Sequence, residues 1–217
     1  CTNGCTTPRC GDGIINEAEV GDDGGPTAFC TAECTLETRF ISTWQTTSAN
    51  ETITIPLRDG FDYNFTVDWG DGTSSEITSY DDADRIHTYA AAGDHTITID
   101  GVMELIYFNN GGDKDKIIAI PNLGDVGWTS FAHAFHGCSN LTTVEGGNTE
   151  EVTSMKFMFA HARKAIPITT DWDTSNVTNM LRMFMNASAF NGNIGSRNGR
   201  SSSSTGWRTG KCAMDNY

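Results

Sequence analysis

The sequence has no apolar run of the roughly 18 residues that a membrane-spanning helix requires, so no membrane-spanning segment is expected. Basic residues are also scarce: 14 Lys and Arg stand against 28 Asp and Glu, for a formal net charge of -14. Nucleic-acid binding depends on Lys and Arg that neutralise phosphates, so this balance argues against a nucleic-acid partner. An acidic surface instead favours solubility, divalent cations or a basic partner.

Sequence motifs of catalysis are missing as well. The chain has no GxSxG nucleophile elbow, no HExxH motif and no Walker loop, and its five histidines are scattered. His133 and His136 form an HxxH pair, and His161 follows further along the chain. When the sequence is shifted by 24 residues, His133 aligns with Phe157 and His136 aligns with Ala160. The histidines therefore do not line up with further histidines, which argues against a metal site. We therefore expect no enzymatic activity.

The seven cysteines are unevenly distributed, and five of them crowd the N-terminal segment: Cys1, Cys5, Cys10, Cys30 and Cys34. Such density in a Gly- and Asp-rich stretch that cannot build a core predicts a disulfide-stapled extracellular module over residues 1–37. A zinc site would require CxxC pairs with histidine partners, whereas the spacings here are CxxxC. Cys138 is expected to be a small buried apolar residue, and Cys212 is the more reactive thiol.

Five Asn-x-Ser/Thr sequons are candidates for N-glycosylation: Asn50, Asn64, Asn140, Asn176 and Asn186. They carry glycan only if the protein passes through a eukaryotic secretory pathway. Together with the cysteines they predict an exported protein, either extracellular or on the cell surface.

Residues 38–103 have the pattern of short strands. The runs "RFISTW", "ETITIPL", "YNFTVDW" and "HTITIDGV" are rich in β-branched and aromatic residues, with "RDG", "GDG" and "AAGD" between them. Regular short strands separated by Gly and Asp turns predict an antiparallel β-sandwich.

Within this region, "VDWGDGT" followed by "RIHTYAAAGDHTITI" resembles the PKD-like, immunoglobulin-type sandwich. The resemblance implies a structural corner at Trp69, Gly70, Asp71 and Gly72 that is braced by His87. Glycine permits positive φ and Asp bonds nearby backbone, while the tryptophan fills the core. A phosphate cradle would need a following helix and a basic residue, and neither is evident.

From about residue 117 the pattern changes to a repeat of 24 to 25 residues, in "TSFAHAFHGCSNLTTV", "TSMKFMFAHARKAIPI" and "TNMLRMFMNASAFNGN". Two apolar columns recur at the same phase: Phe131, Met155 and Met180, and then Phe135, Phe159 and Phe184. A fixed period of this length predicts a solenoid whose coils each bury one face on the next. Each coil is expected to contain a short helical turn such as "SMKFMFAHA" and a short strand.

These repeats resemble the leucine-rich repeats of BspA-like surface proteins, through "AFHGCSNLTTV", "DWDTSNVTNM" and "MFMNASAFNGNI". The resemblance covers residues 38–195, with the solenoid over 104–195. It implies an exported protein used for adhesion, matrix contact or assembly, and it implies no catalytic residues.

The two ends depart from these patterns. "CGDGIINEAEVGDDGG" resembles a secreted cysteine-rich repeat in which Gly21 replaces one cysteine. Its acids either provide a calcium site, the one cofactor expected, or form turns beside glycines: Asp12, Glu19, Asp22 and Asp23. Residues 196–217 form a basic Ser- and Gly-rich tail, interpreted as a tether to a neighbouring subunit or as a shifted reading frame.

The expected fold class is therefore mainly β with short helices: a small disulfide-rich module, a PKD-like sandwich and a short leucine-rich-repeat-like solenoid. The expected function is a non-catalytic structural or adhesive surface protein, such as a subunit of a filament or surface assembly. Its expected partners are further copies of itself, other surface or matrix proteins, or glycans. The alternative is a secreted carbohydrate- or calcium-binding accessory module of a larger protein.

Overall fold

The computed structural model describes residues 38–191. The chain separates into two compact units, Cys1–Thr38 and Arg39–Tyr217, and the described residues lie almost entirely in the second. The cysteine-rich module predicted over 1–37 and the basic tail predicted over 196–217 lie outside the described residues.

The first half of the described region is a sandwich-like arrangement of antiparallel strands. The strands are β1 (Phe40–Thr46), β2 (Glu51–Thr54), β3 (Tyr63–Asp68), β4 (Ser74–Ile77), β5 (Ile86–Tyr89) and β6 (Gly93–Met103). One sheet contains strands in the order β4-β3-β6-β1, and β2 and β5 pair with each other separately. The alternation of β-branched and aromatic residues with polar ones places one face of each strand inward, as in β3, where Tyr63, Phe65 and Val67 are buried.

The same sheet continues into the second half. Strand β7 (Ile117–Asn122) pairs antiparallel with β1, and β8 (Thr143–Val144) and β9 (Ile166–Pro167) then add in parallel. The result is one sheet of seven strands in the order β4-β3-β6-β1-β7-β8-β9. The described chain is mainly β, as predicted, and its sheet crosses position 103 without interruption. The division into domains at that position stays a prediction.

Three similar sets of turns, residues 131–138, 155–162 and 180–187, connect and flank the parallel strands. Their backbone amides alternate in direction. In the first set, the amides of Phe131, His133 and Phe135 donate to carbonyls of the next set at 2.7–2.9 Å, whereas those of Ala134 and His136 bond within their own turn. The second set donates to the third in the same way.

This alternation corrects the prediction of short helices. An α-helix requires every interior amide to bond the carbonyl four residues earlier, but half of the amides in these turns are used between layers. Left-handed residues, such as His133 (φ 59°) and Phe157 (φ 55°), also interrupt any helical run. The only helical element among residues 38–191 is a 3-10 turn, Ala83–Arg85.

The two predicted apolar columns are confirmed as core. Phe135 and Phe159 are fully buried and stack at 5.6 Å between ring centroids, and Phe159 and Phe184 stack at 5.5 Å. Cys138 is buried too, as predicted. Burial decreases along the stack, since Phe184 in the third layer is only partly buried.

Candidate functional site

The predicted structural corner lies between β3 and β4. Asp71 Oδ1 accepts hydrogen bonds from the Thr73 amide (3.1 Å) and hydroxyl (2.6 Å), and its Oδ2 lies 2.7 Å from His87 Nε2. The buried Trp69 ring stacks on the His87 imidazole at 4.8 Å. A Cβ added to Gly70 would lie 2.3 Å from the carbonyl oxygen of Thr96. The corner thus connects β3 to β4, and it contacts β5 through the Asp71 carboxylate and β6 through one close backbone approach.

The electrostatics of the corner follow from these contacts. The hydroxyl of Thr73, and then the His87 imidazole, lower the pKa of Asp71 to about 2, because both stabilise the carboxylate. Burial raises the pKa of the Tyr89 phenol, whose hydroxyl donates to the Trp69 carbonyl at 2.7 Å. All of these polar groups are engaged with one another, so the arrangement stabilises a turn and presents no free nucleophile.

The glycosylation candidates occupy different settings. Asn50 and Asn64 are exposed, the first in a left-handed conformation before β2 and the second on β3. Asn140 and Asn176 donate their side-chain amides to backbone carbonyls about one repeat earlier, at 2.8 Å and 2.7 Å. Asn186 is exposed and its amide lies 3.4 Å from His161 Nδ1.

The cysteine and calcium candidates are not placed by the structure. The five N-terminal cysteines and the carboxylates Asp12, Glu19, Asp22 and Asp23 lie outside the described residues. Across residues 38–191, no group of three or more His, Cys, Asp and Glu side chains is arranged to hold a metal ion. No helix in that range has the length and apolar character needed to cross a membrane.

One surface of the stacked turns carries a ladder of aromatic and cationic side chains. The Tyr107 ring lies 5.8 Å from His133, and His133 stacks on Phe157 at 5.0 Å. The Arg182 guanidinium then lies 5.8 Å from the Phe157 centroid. We call these four residues, with the neighbouring His136, the turn ladder. Its members come from four successive layers of the chain.

Further groups flank the turn ladder. The Arg58 guanidinium lies 4.7 Å from the Tyr107 centroid, and Lys156 Nζ lies 5.6 Å from that of Phe157. The His136 imidazole stacks on His161 at 5.7 Å. These cations sit at distances typical of cation–π attraction, and they extend the positive charge along the ladder.

The pKa values of the two ladder imidazoles are lowered, which favours their neutral form. Burial, followed by the charges of Lys156 and Arg58, lowers the pKa of His133. Burial, followed by His133 and His161, lowers the pKa of His136. Among residues 38–191 the buried Nδ1 atoms of both rings have no hydrogen-bond partner, so protonation there would create an unsatisfied donor. The ladder therefore offers neutral imidazoles between permanent cations.

The sequence pattern did not reveal this ladder. A constant 24-residue phase pairs His136 with Ala160, whereas in the structure the ring of His136 reaches His161, one residue further along. The spacing of left-handed residues reveals the register more clearly, since His133, Phe157 and Arg182 share φ values of 54–59° at intervals of 24 and 25 residues.

The end of the stack is a second distinctive feature. By analogy with the inner layers, the amides of Met180, Arg182, Phe184 and Asn186 point away from the stack. Within the part of the chain that the structure describes, none of the four has a hydrogen-bond partner. The neighbouring Leu181 side chain is 53% exposed. This end therefore combines a regular row of donors with apolar surface.

A shallow groove of about 400 Å³ lies on the sandwich-like part of the chain. Its lining combines aromatic and apolar side chains with polar ones: Phe61, Asp62, Tyr63, Asn64, Thr78, Ser79, Tyr80 and Val102. Tyr80 and Val102 are about 40% exposed, so the groove is open to solvent.

Comparisons with known proteins give one match. Residues 129–211 match the family described as "Mycoplasma protein of unknown function, DUF285". The matched segment is less than half of the 217 residues, and it begins two residues before the first set of turns. No curated protein and no solved structure matches the chain. The stacked turns are thus the part of this chain that is similar to a known family.

Proposed function

We propose that the protein is a non-catalytic structural or adhesive protein, extracellular or at the cell surface, whose copies associate through the open end of the turn stack. Its architecture would be a PKD-like sandwich followed by a leucine-rich-repeat-like solenoid of the BspA-like type. The match of residues 129–211 to DUF285 is compatible with a surface protein, and the repeating hydrogen bonds between layers support a solenoid.

The row of third-layer amides that have no acceptor among residues 38–191 carries this proposal. Each inner layer donates its outward amides to the next layer, and the third layer presents the same donors without acceptors among residues 38–191. An unpaired backbone row beside exposed apolar side chains is a template for another chain. Because such a contact joins unlike surfaces, its repetition would produce rings or filaments.

Sedimentation velocity over a wide concentration range tests the proposal. The wild type is expected to form concentration-dependent oligomers. Leu181→Glu places a charge on the open end, and it should weaken association by about tenfold or more. Ile86→Glu is the matched control, because Ile86 is 49% exposed on the sandwich-like part and the charge change is identical.

Two results would overturn self-association. One is a wild type that stays monomeric at every concentration while a variant lacking residues 192–217 oligomerises, since the chain's own tail would then cover the end. The other is that Leu181→Glu and Ile86→Glu weaken association equally, which would show that association does not depend on the open end of the stack.

A secreted accessory module is the second candidate, and the groove near Tyr80 favours it. Aromatic and apolar side chains beside amide and hydroxyl groups are typical of sites that orient a small polar ligand. Calcium binding in the same proposal rests on carboxylates outside the described residues. Selective binding of neutral glycans that is lost in Tyr80→Ala, without any oligomer, would favour this candidate.

A further inference from the structure

Charge is segregated along the repeats. The turn segments 126–144, 152–170 and 174–191 contain four cationic residues, Lys156, Arg163, Lys164 and Arg182, and no Asp or Glu. The acids of this region lie in the links between them, at positions 145, 150, 151, 171 and 173. The whole chain has a net charge of -14. The face formed by these turn segments is the exception, because it carries permanent cations and three histidines and no acid.

The backbone of the same face is unusual. His133, Phe157 and Arg182 adopt left-handed φ values of 54–59°, a region that side chains with a Cβ rarely occupy. Packing of the core does not explain the choice of these residues, because Arg182 is exposed and the other two are half-buried. Strained positions that persist at a surface point to a role for the side chains they present.

We propose that the turn ladder of Tyr107, His133, His136, Phe157 and Arg182, with Arg58 and Lys156 beside it, is a binding surface for an acidic polysaccharide. Successive layers in such stacks lie about 4.8 Å apart, so the ladder offers cations and imidazoles at regular intervals along one line. A linear chain of sugars carrying sulfate or carboxylate groups matches this arrangement. Arginine would bind the anions, and the imidazoles and the exposed Asn186 amide would bond hydroxyl groups.

A nucleic acid fits this surface less well. Single-stranded nucleic acids bind through bases stacked on free aromatic faces, but the ladder rings already face one another or a cation: His133 faces Phe157, and Arg182 lies beside Phe157. The net charge of -14 would also repel a densely charged phosphate backbone outside this narrow strip. A polysaccharide with fewer charges and many hydroxyl groups avoids both problems.

This surface shares Arg182 and Asn186 with the open end that is proposed to mediate self-association, whereas Arg58, Tyr107 and His133 lie away from that end, and its test therefore includes a variant at Arg58. The full chain, freed of any N-linked glycan, is immobilised and exposed to a lightly sulfated dextran, to polygalacturonate and to uncharged dextran at low and at moderate salt. We expect one or both acidic polymers to bind, uncharged dextran not to bind, and affinity to fall as salt rises. The two acidic polymers distinguish sulfate from carboxylate as the preferred anion.

Charge reversals locate the site. Arg182→Glu and Arg58→Glu are each expected to weaken binding by about tenfold. Lys114→Glu is the control, because it makes the same change in net charge at an ammonium group that pairs with Asp115. Thermal melting of each variant verifies folding.

Three outcomes would overturn the assignment. The first is that neither acidic polymer binds. The second is that Lys114→Glu weakens binding as much as Arg182→Glu does. The third is that single-stranded DNA binds as tightly as the polysaccharides and is weakened equally by Arg182→Glu and Arg58→Glu. The last result would indicate a general anion surface. Sedimentation of the same variants keeps this test apart from self-association, since Arg58→Glu leaves the open end unchanged.

Discussion

The sandwich-like half and the stacked-turn half solve the same backbone problem with different residues. Both need left-handed turns. In the first half these fall mainly on glycines such as Gly70 and Gly72, whereas the stack uses glycines such as Gly137 together with non-glycine residues in every layer, at His133, Phe157 and Arg182. Left-handed conformation costs residues with a Cβ about 1–2 kcal/mol each. The stack tolerates this cost because each layer gains hydrogen bonds and apolar contacts from the next.

The difference shows where each half stores its stability. The corner near Asp71 depends on a few contacts that are not repeated in equivalent layers. When one of these contacts is lost, no equivalent contact compensates for it. The stack distributes its stability over equivalent layers, so the effect of a change depends on whether its layer has neighbours on both sides. Predictions that compare matched positions can test this contrast.

The largest expected effect is in the stack. Phe159→Ala removes a fully buried ring that stacks between Phe135 and Phe184, and it should lower the free energy of unfolding by about 4 kcal/mol. Phe184→Ala removes the same atoms from a partly buried site and should cost about half as much. Urea denaturation of both variants measures the difference. Equal losses would contradict a gradient along the stack.

The second effect is in the corner. Gly70→Ala would place a Cβ against the Thr96 carbonyl in β6, and the residue also has φ 78°, so both strain and a backbone clash oppose it. We expect a loss of about 3 kcal/mol in unfolding free energy. Gly72 has φ 89° but open space where a Cβ would lie, so Gly72→Ala should cost only about 1 kcal/mol. Similar losses at the two glycines would show that close approach to β6 is unimportant.

The sequence was sufficient for the features that repeat in side-chain type. Alternation predicted a mainly β chain, and the fixed period predicted the stacked column of Phe135, Phe159 and Phe184. The sequence was insufficient for the backbone conformation of the turns. Apolar residues four positions apart, such as Met155 and Phe159, suit both a helical turn and the observed turns. The outcome depends on backbone amides that bond between layers, which side-chain patterns do not record.

The candidate binding surface was harder to predict for a related reason. The backbone register between the first two layers is 24 residues, yet the His136 ring contacts His161, which lies one position further along, and an alignment of the sequence does not record such a side-chain contact. Its charge pattern was visible in the sequence, since the turn segments lack acids altogether. Only the structure shows that two of these cations, Lys156 and Arg182, lie beside the stacked rings of His133 and Phe157.

The smallest expected effect concerns the pH dependence of the corner. The pKa of Asp71 is lowered to about 2 in the folded protein, first by the Thr73 hydroxyl and then by His87, against about 3.9 in an unfolded chain. A lowered carboxyl pKa contributes stability that is present above the unfolded value and is lost as pH falls through the folded value. Since the side chain is 33% exposed, solvent screening reduces this contribution to about 1 kcal/mol.

Thr73→Val separates this electrostatic contribution from the backbone contribution of the corner. The substitution keeps the shape of the side chain and removes the hydroxyl that most lowers the Asp71 pKa. The pKa of Asp71, measured by NMR titration, should rise towards its usual range, and the loss of stability between pH 4 and pH 2 should become smaller than in the wild type. An unchanged pKa would mean that the backbone amide at position 73 and the His87 imidazole are enough to hold the carboxylate. In that case the corner would resemble the stack more closely, with its stability shared among partners that can replace one another.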